Sequence, residues 1–231
     1  MDIKIVRTAD GSDTLFCRDL NQHYHSTFGA VGESLHIFIK CGFIYFLETA
    51  KAAKTKKATQ IRILEIGFGT GLNALLTHIE AEKQGINVHY TAVEAFQLEE
   101  SYWRSLNYPD LADSFKSAEI FMKIHQADWD VPEIISTHFT LQKIYTTLEE
   151  YFPAEGSFDL IYFDAFGPDA QPELWTEQIF RNLSKGLSTG GMLVTYSVKG
   201  IVVRALRSCG FSTEKLAGPP GKRHILRAIR T

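Results

Sequence analysis

Hydrophobic positions along the chain change their spacing in a regular way. From residue 61 onward, short apolar runs alternate with longer segments in which apolar residues recur at helical spacing. This alternation predicts strand–helix units, and therefore a mostly parallel sheet with helices on both faces. The predicted strands are Ile61–Ile66, Asn87–Val93, His138–Leu141, Phe158–Phe163, Met192–Tyr196, Phe211–Leu216 and His224–Ile229.

The predicted helices occupy the intervals between these strands. They are Leu72–Lys83, Gln97–Leu106, Ile144–Tyr151, Pro172–Leu187 and Ile201–Cys209, with irregular helical insertions between Tyr108 and Glu133. A Gly190-Gly191 turn is expected just before the fifth strand. Residues 217–223 are too few for a helical crossover, because parallel neighbours need about a dozen connecting residues. The pattern therefore predicts an α/β, Rossmann-like, seven-stranded sheet whose last strand is antiparallel.

The first 60 residues follow a different pattern. β-prone residues surround Asp10-Gly11, which predicts a hairpin. Residues 29–50 have apolar positions at helical spacing, with a break expected near Gly42, and residues 50–60 are typical of a helix end and a solvated loop. We expect residues 1–60 to form an N-terminal extension of β-hairpins and helix, packed on a main domain of residues 61–231.

Composition excludes several classes of protein. Of the 231 residues, 45% are hydrophobic and 22% are charged, as in ordinary globular proteins. We find no apolar run long enough for a bilayer and no signal-peptide layout, so we expect a cytoplasmic protein without a membrane partner. Cys17, Cys41 and Cys209 are far apart and have no metal-ligand spacing. His23 and His25 fit a strand better than a metal site, so no metal is expected.

Charge is distributed unevenly along the chain. The net charge is −3, but residues 181–231 contain ten Lys or Arg and one acid, Glu214, a balance of +9, so the first 180 residues carry −12. A polyanionic partner near the C-terminal end would explain this asymmetry. Solvated basic residues spread over several faces would explain it equally well.

A glycine-rich segment follows the first strand of the main domain. In "EIGFGTGLN", Gly67, Gly69 and Gly71 permit positive φ and a close ligand, and the next helix presents free N–H groups. The spacing differs from the dinucleotide fingerprint, and Glu65 would repel a pyrophosphate but attract a cation. S-adenosylmethionine, which has a sulfonium, an ammonium group and no phosphate, fits better than NAD. The alternative is a purely structural tight turn.

Further cofactor contacts are expected around this loop. Glu94 ends the second strand, where a carboxylate can accept both ribose hydroxyls, although NAD sites share this feature and an exposed glutamate is the alternative. We also assign Phe68, Asn73 and Ala95 to the cofactor site, because they flank these residues.

Asp164 directly follows the fourth strand and is the candidate catalytic residue. Because the carboxyl ends of parallel strands face a common crevice, Asp164 should share the pocket with Glu65 and Glu94. Its carboxylate could contact the cofactor, orient an amine for methyl transfer and receive a proton. Alternatively, it caps the next helix or binds only the cofactor. Tyr196, at the end of the fifth strand, is expected at the same rim.

Five segments carry a specific resemblance. They are "EIGFGTGLNALL", "YTAVEAFQL", "FDLIYFDAFGPDAQPELWTEQIFRNL", "GGMLVTYSVKG" and "GFSTEKLAGPPGKRHILRA". From about Ile61 to Ala228 the chain resembles the methyltransferase domain of the MnmC-like tRNA-modifying family, which has the class I methyltransferase fold. The pattern D-x-F-x-P-x-x-x-P-E-x-W is the distinctive part. The resemblance implies S-adenosylmethionine-dependent methylation of 5-aminomethyl-(2-thio)uridine at the tRNA wobble position, giving 5-methylaminomethyl-(2-thio)uridine.

The resemblance also implies residue roles. The matching motifs would place Glu65, Gly67, Gly69 and Glu94 on the donor, and Asp164 between donor and amine. The substrate side would comprise Phe166, Pro168, Tyr196, Lys222 and Arg223, with the basic Lys222-Arg223 turn near the anticodon loop of tRNA. The family's acid after the third strand is replaced here by Leu141 and Gln142. Gln142 is therefore the residue that could contact adenine in place of the family's acid.

Longer family members carry an additional FAD-dependent oxidase domain. The sequence does not contain it, so we expect methylation only, with a separate oxidase, or the enzymes that make the aminomethyl group, as candidate functional partners. Three rival functions stay open: a spermidine-synthase-like aminopropyltransferase, a non-catalytic module that binds S-adenosylmethionine or RNA, and a nicotinamide oxidoreductase. Donor binding and the mass of the modified acceptor would separate them.

Overall fold

The computed structural model describes residues 2–54, 59–112 and 116–231. Its strands in these ranges are β1 Ile3–Arg7, β2 Asp13–Cys17, β3 Gln22–His23, β4 Gln60–Ile66, β5 Asn87–Glu94, β6 Pro132–Ser136, β7 Phe139–Tyr145, β8 Phe158–Phe163, β9 Leu187–Thr195, β10 Phe211–Ala217 and β11 His224–Arg230. Its helices are α1 Ala30–Ala52, α2 Leu72–Gln84, α3 Glu100–Trp103, α4 Tyr108–Leu111, α5 Ser117–Gln126, α6 Glu177–Gly186 and α7 Gly200–Ser208.

An eight-stranded sheet forms the centre of the fold. Its strand order is β10-β11-β9-β8-β4-β5-β7-β6, and β4, β5, β7, β8 and β9 run parallel. Strand β11 is antiparallel to both neighbours, as its short connection to β10 predicts. The mostly parallel α/β class is confirmed. The strand beyond the predicted seven is β6, which pairs antiparallel with β7 at the sheet edge and begins with Pro132.

Three predicted elements differ from the structure. The predicted helix Ile144–Tyr151 is absent from this described region, because β7 continues to Tyr145. Lys143 occupies a buried position of β7. Because its charge interrupts the apolar pattern, the strand was predicted to end at Leu141. The predicted helix Gln97–Leu106 is reduced to α3. Gly190 and Gly191 lie inside β9, where the register with β8 shifts, instead of forming a turn before it.

The N-terminal hairpin is confirmed, since β1 and β2 pair on either side of Asp10-Gly11. Helix α1 contains π-helical turns over Leu35–Ile44 and runs through Gly42 without the expected break. A Cβ at Gly42 would lie 3.1 Å from a Val194 methyl group and 3.3 Å from the Tyr162 ring. Glycine therefore allows close packing of α1 on the sheet.

Helix α1 is long and apolar enough to cross a membrane by length and composition alone, although the sequence analysis found no such run. However, 56% of its apolar window is buried inside the protein, where it contacts β8, β9, β11 and α2. This burial accounts for its apolar composition. Phe38 and Phe43 of α1 share one hydrophobic core with the sheet.

The domain division at residue 60 stays a prediction, and residues 55–58 of the expected loop lie outside the described residues.

Candidate active site

A cavity of about 520 Å³ opens at the carboxyl edge of the parallel strands. Its volume lies within the range of about 300–1,000 Å³ that is common for small-molecule pockets. Segments after β4, β5, β7, β8 and β9 line it, together with residues 22–28, Glu33 and residues 221–222. Parallel α/β sheets typically bind ligands at this edge.

The glycine loop after β4 forms one wall of the cavity. Gly67, Gly69 and Gly71 have φ angles of +87°, +49° and +71°, which a residue with a side chain rarely adopts. A Cβ at Gly67 would lie 2.9 Å from the Asp164 carbonyl oxygen. Gly67 and Gly69 line the cavity, whereas Gly71 contacts His125 behind the loop. The first two glycines therefore expose main chain to a ligand.

Glu94 and Ala95 lie on the same wall, as predicted. Glu94 Oε2 accepts the Gly69 N–H at 3.0 Å, and Oε1 accepts the Phe96 N–H at 2.8 Å. Burial raises the pKa of Glu94, and these backbone hydrogen bonds oppose the shift. The carboxylate is thus fixed at the end of β5, and each oxygen keeps a lone pair for a ligand hydroxyl.

Asn73 joins two of the predicted carboxylates. Its Nδ2 donates to Glu65 Oε1 at 2.9 Å and to Asp164 Oδ2 at 2.8 Å. Asp164 and Asn73 line the cavity, whereas Glu65 is completely buried beneath the loop. Of the three predicted carboxylates, Glu94 and Asp164 therefore reach the cavity wall, and Glu65 acts on it through Asn73. The Oδ1 atom of Asn73 is buried and has no hydrogen-bond partner among the described residues.

Burial dominates the ionisation of these groups. It raises the pKa of Glu65 well above its usual range, and repulsion from Asp164 adds to the rise. Burial likewise raises the pKa of Asp164, with a further contribution from Glu33, while Asn73 and Lys222 oppose it. The cavity is therefore a place where carboxylates bind protons, or cations, more readily than in water.

Aromatic and basic side chains form another part of the cavity wall. Phe166, Tyr196 and Lys222 line the cavity, as predicted. The Tyr196 hydroxyl donates to the Ala165 carbonyl at 2.8 Å, and Lys222 Nζ lies 5.1 Å from the centre of the Tyr196 ring. The Phe166 ring meets the Tyr24 ring edge-on at 5.0 Å between centroids. A flat ligand could contact these rings.

The remaining predicted residues lie elsewhere in the described structure. Gly71, Gln142, Pro168 and Arg223 are away from the cavity wall, and Arg223 is exposed. Gln142 lies within β7, because that strand continues beyond its predicted end. The segment after β7 that reaches the cavity is residues 146–149, so the adenine contact predicted for Gln142 has no support in the geometry.

Tyr24 and Glu33 were not predicted as site residues, and they bring the N-terminal extension into the cavity wall. The only signal was the polar segment "HYHS", which was interpreted as part of a strand. Lys143 was not predicted either. Its Nζ donates to the His125 carbonyl at 2.7 Å, while His125 Nε2 bonds to the Thr70 carbonyl at 3.1 Å. Burial lowers the pKa of Lys143 to about 8 and that of His125 to about 3. Lys143 and His125 brace the glycine loop from behind.

Within residues 2–54, 59–112 and 116–231, no group of three or more His, Cys, Asp or Glu side chains is arranged to hold a metal ion.

The chain is similar to known methyltransferases and tRNA-modifying proteins. A family model described as S-adenosyl-L-methionine-dependent methyltransferase matches residues 120–231. The tRNA 5-methylaminomethyl-2-thiouridine biosynthesis bifunctional protein MnmC of Pseudoalteromonas atlantica is 28% identical over 97% of this chain. The chain spans about a third of the length of such curated relatives, 34% in this case.

Two solved structures extend the comparison. MnmC2 from Aquifex aeolicus matches with a TM-score of 0.75 and 26% identity, over 98% of this chain and 70% of that chain. Spermidine synthase from Thermotoga maritima matches with a TM-score of 0.54 over 95% of this chain and 68% of that one, but at 13% identity it shares the fold alone. The family model, the MnmC relatives and the MnmC2 structure agree: residues 120–231 match an S-adenosyl-L-methionine-dependent methyltransferase model, and the chain is similar to MnmC proteins along nearly its whole length.

Proposed function

We propose that this protein transfers a methyl group from S-adenosylmethionine to the amine of 5-aminomethyl-(2-thio)uridine at the wobble position of tRNA, giving 5-methylaminomethyl-(2-thio)uridine. The observation that carries the proposal is Asp164, which lines one cavity together with the glycine loop, Glu94 and the aromatic side chains of Phe166 and Tyr196. The names of the MnmC relatives support the nature of the product.

The glycine loop side of the cavity suits the donor. Main chain at Gly67 and Gly69 allows close approach, and Glu94 can accept ribose hydroxyls. When bound, S-adenosylmethionine supplies the methyl group, so that the amine lone pair forms the new N–C bond while the S–C electron pair stays with sulfur.

Asp164 performs the acid–base part of the reaction. Its carboxylate accepts an N–H of the amine, aims the nitrogen lone pair and takes up the proton that the amine releases. Asn73 fixes the orientation of this carboxylate through its 2.8 Å hydrogen bond. Because burial raises the pKa of Asp164, it is a stronger base than an exposed aspartate once it is ionised.

The aromatic wall receives the wobble base. RNA-binding proteins commonly recognise unstacked bases of loops by stacking them on aromatic rings, and Phe166 and Tyr24 offer such rings. The anticodon loop of tRNA is thus the macromolecular partner, and the cytoplasm is the compartment in which the protein would meet it. A separate FAD-dependent oxidase, or the enzymes that make the aminomethyl group, would act before it.

The test is methylation of tRNA from cells that cannot finish this wobble modification, followed by nucleoside mass spectrometry. Asp164→Asn should retain donor binding in calorimetry but lower the methylation rate by about 10²–10⁴-fold, the usual contribution of a general base. Asp169→Asn is the matched control, because Asp169 lies in the same loop, is 80% exposed and pairs with Lys199. Equal rates for wild type and Asp164→Asn would remove Asp164 from the chemistry. Transfer of an aminopropyl group to a polyamine would refute the proposed function.

A further inference from the structure

Glu33 is a buried acid on the substrate side of the cavity. It lies in the first turns of α1, and only 8% of its side chain is exposed. The Ser26 N–H donates to its Oε2 atom at 2.7 Å and holds the carboxylate in one orientation. Glu33 is one of the residues that line the cavity.

Lys222 occupies the second carboxylate oxygen of Glu33. Its Nζ atom donates to Glu33 Oε1, and the same ammonium group lies over the Tyr196 ring. Lys222 reaches this place from the turn between β10 and β11, and 26% of its side chain remains exposed. The ion pair shows what the pocket accepts: a primary ammonium group on an alkyl chain, held between a fixed carboxylate and an aromatic face.

The substrate of the proposed reaction carries the same chemical group. An alkylamine such as the lysine side chain has a pKa of about 10.4, so an aminomethyl group arrives largely protonated. Both Glu33 and Lys222 influence the ionisation of Asp164, which places the three charges within electrostatic reach of each other. A cation bound at Glu33 is therefore also close to the candidate base.

We propose that Glu33 binds the protonated amine of the substrate and that Lys222 holds this position until the substrate displaces it. The inference rests on the proposed function and deepens it, because it assigns the recognition of the amine to a residue of the N-terminal extension. The amine first pairs with Glu33, and Asp164 then receives its proton. The ammonium of Lys222 moves toward the open side of the cavity.

The experiment compares the binding of two tRNAs that differ only in the aminomethyl group at the wobble uridine. Wild-type protein should bind the amine-bearing tRNA about 10-fold more tightly, as expected for hydrogen bonds to a charged group. In Glu33→Gln, the ratio of the affinities for the amine-bearing and unmodified tRNAs should fall close to 1. The binding of the unmodified tRNA and of the donor should stay unchanged. Lys222→Met should preserve or increase the ratio, because it removes the competing ammonium group.

A purely structural ion pair predicts a different pattern. If the Glu33–Lys222 ion pair only connects α1 to the β10–β11 turn, both variants should reduce the affinity for the two tRNAs by the same factor. This result would overturn the inference. Should Glu33→Gln fail to fold, Lys222→Met decides alone. A preserved or larger amine preference with unchanged binding of the unmodified tRNA would support the inference, whereas loss of the preference, or equal weakening of both tRNAs, would overturn it. Methylation by the wild type is measured first. Its absence rejects the proposed function, whereas methylation with an unchanged ratio in Glu33→Gln rejects only the role of Glu33.

Discussion

The glycine loop shows how much of the cavity wall a short sequence motif can predict. The sequence predicted that Gly67, Gly69 and Glu94 line one pocket, because the positive φ angles and the strand end follow from local rules. It misjudged Glu65, which is buried and bonds to Asn73. Neighbouring residues of a strand point to opposite faces, and the motif does not specify which face the following helix covers.

Gly67→Ala should weaken donor binding by at least about 10-fold. The new Cβ would lie 2.9 Å from the Asp164 carbonyl oxygen and would strain a φ of +87°, at a cost of about 1–3 kcal/mol for the strain alone. Gly85→Ala is the matched control, because Gly85 has a φ of +64° and open space around it at the end of α2. Calorimetric titration with S-adenosylmethionine measures the difference. Similar donor affinities in the two variants would contradict the role of the loop.

The pH dependence of methylation should report Asp164. Burial raises its pKa well above the ordinary value of 3.8, and only the ionised carboxylate can accept a proton. The value of kcat/KM should therefore decrease as the pH falls through this raised pKa. The decrease should occur at a higher pH than it would if the base were an exposed aspartate. A pH–rate profile with saturating donor tests this expectation. A rate that stays constant down to a pH of about 4 would contradict it.

At the scale of elements, the local apolar pattern located most strands but not all of their ends. Strands β4, β5, β8 and the edge strand β10 agree with the prediction to within a residue. The predicted strand His138–Leu141 is shorter than β7 because Lys143 takes a buried position, where its partners are the His125 carbonyl and the rings of Phe68 and Trp129. Gly42 of α1 was misjudged for a similar reason, since its close contact with β9 is a tertiary feature.

An ion pair between central strands should contribute to stability. Arg62 of β4 donates two hydrogen bonds of 2.9 Å to Asp159 of β8, whose side chain is only 3% exposed. Arg62→Ala leaves this buried carboxylate with fewer partners and should lower the free energy of unfolding by about 2–4 kcal/mol at pH 7. Urea denaturation measures the loss. Arg181→Ala, which breaks the exposed pair with Glu177, should cost less than about 1 kcal/mol.

The same pair has a pH signature. Burial alone would raise the pKa of Asp159, but the hydrogen bonds from Arg62 lower it below its usual value. A carboxyl with a depressed pKa in the folded state stabilises the protein above its unfolded pKa of about 3.9 and loses this effect as the pH falls through the folded pKa. The stability difference between wild type and Arg62→Ala should therefore narrow below a pH of about 4. A constant difference would contradict the ionic character of the pair.

Across the whole molecule, the basic C-terminal quarter is partly neutralised by acids. Arg181, Lys199, Lys222 and Arg227 pair with Glu177, Asp169, Glu33 and Glu214. The charge asymmetry of the sequence therefore overstates the basic surface, because pairing between distant segments cannot be read from composition. Lys222 in particular faces the cavity, so Arg223 is the member of the predicted basic turn that remains exposed.

Exposed basic residues should affect tRNA binding according to the edge of the sheet on which they lie. Arg223 follows the carboxyl end of β10, and Arg204 reaches back toward Gly200 at the start of α7, so both lie on the cavity side. Lys185 and Arg207 precede the starts of β9 and β10 and lie at the opposite edge.

The double variant Arg204→Glu/Arg223→Glu should weaken binding of tRNA and make it less dependent on salt. Each phosphate contact that is lost should reduce the slope of log K against log salt concentration by about 0.7–0.9. The control Lys185→Glu/Arg207→Glu changes the net charge equally but at the edge away from the cavity, so it isolates the effect of position from that of total charge. Filter binding at several salt concentrations measures both slopes. Equal slopes in the two double variants would mean that tRNA approaches by a face other than the cavity edge.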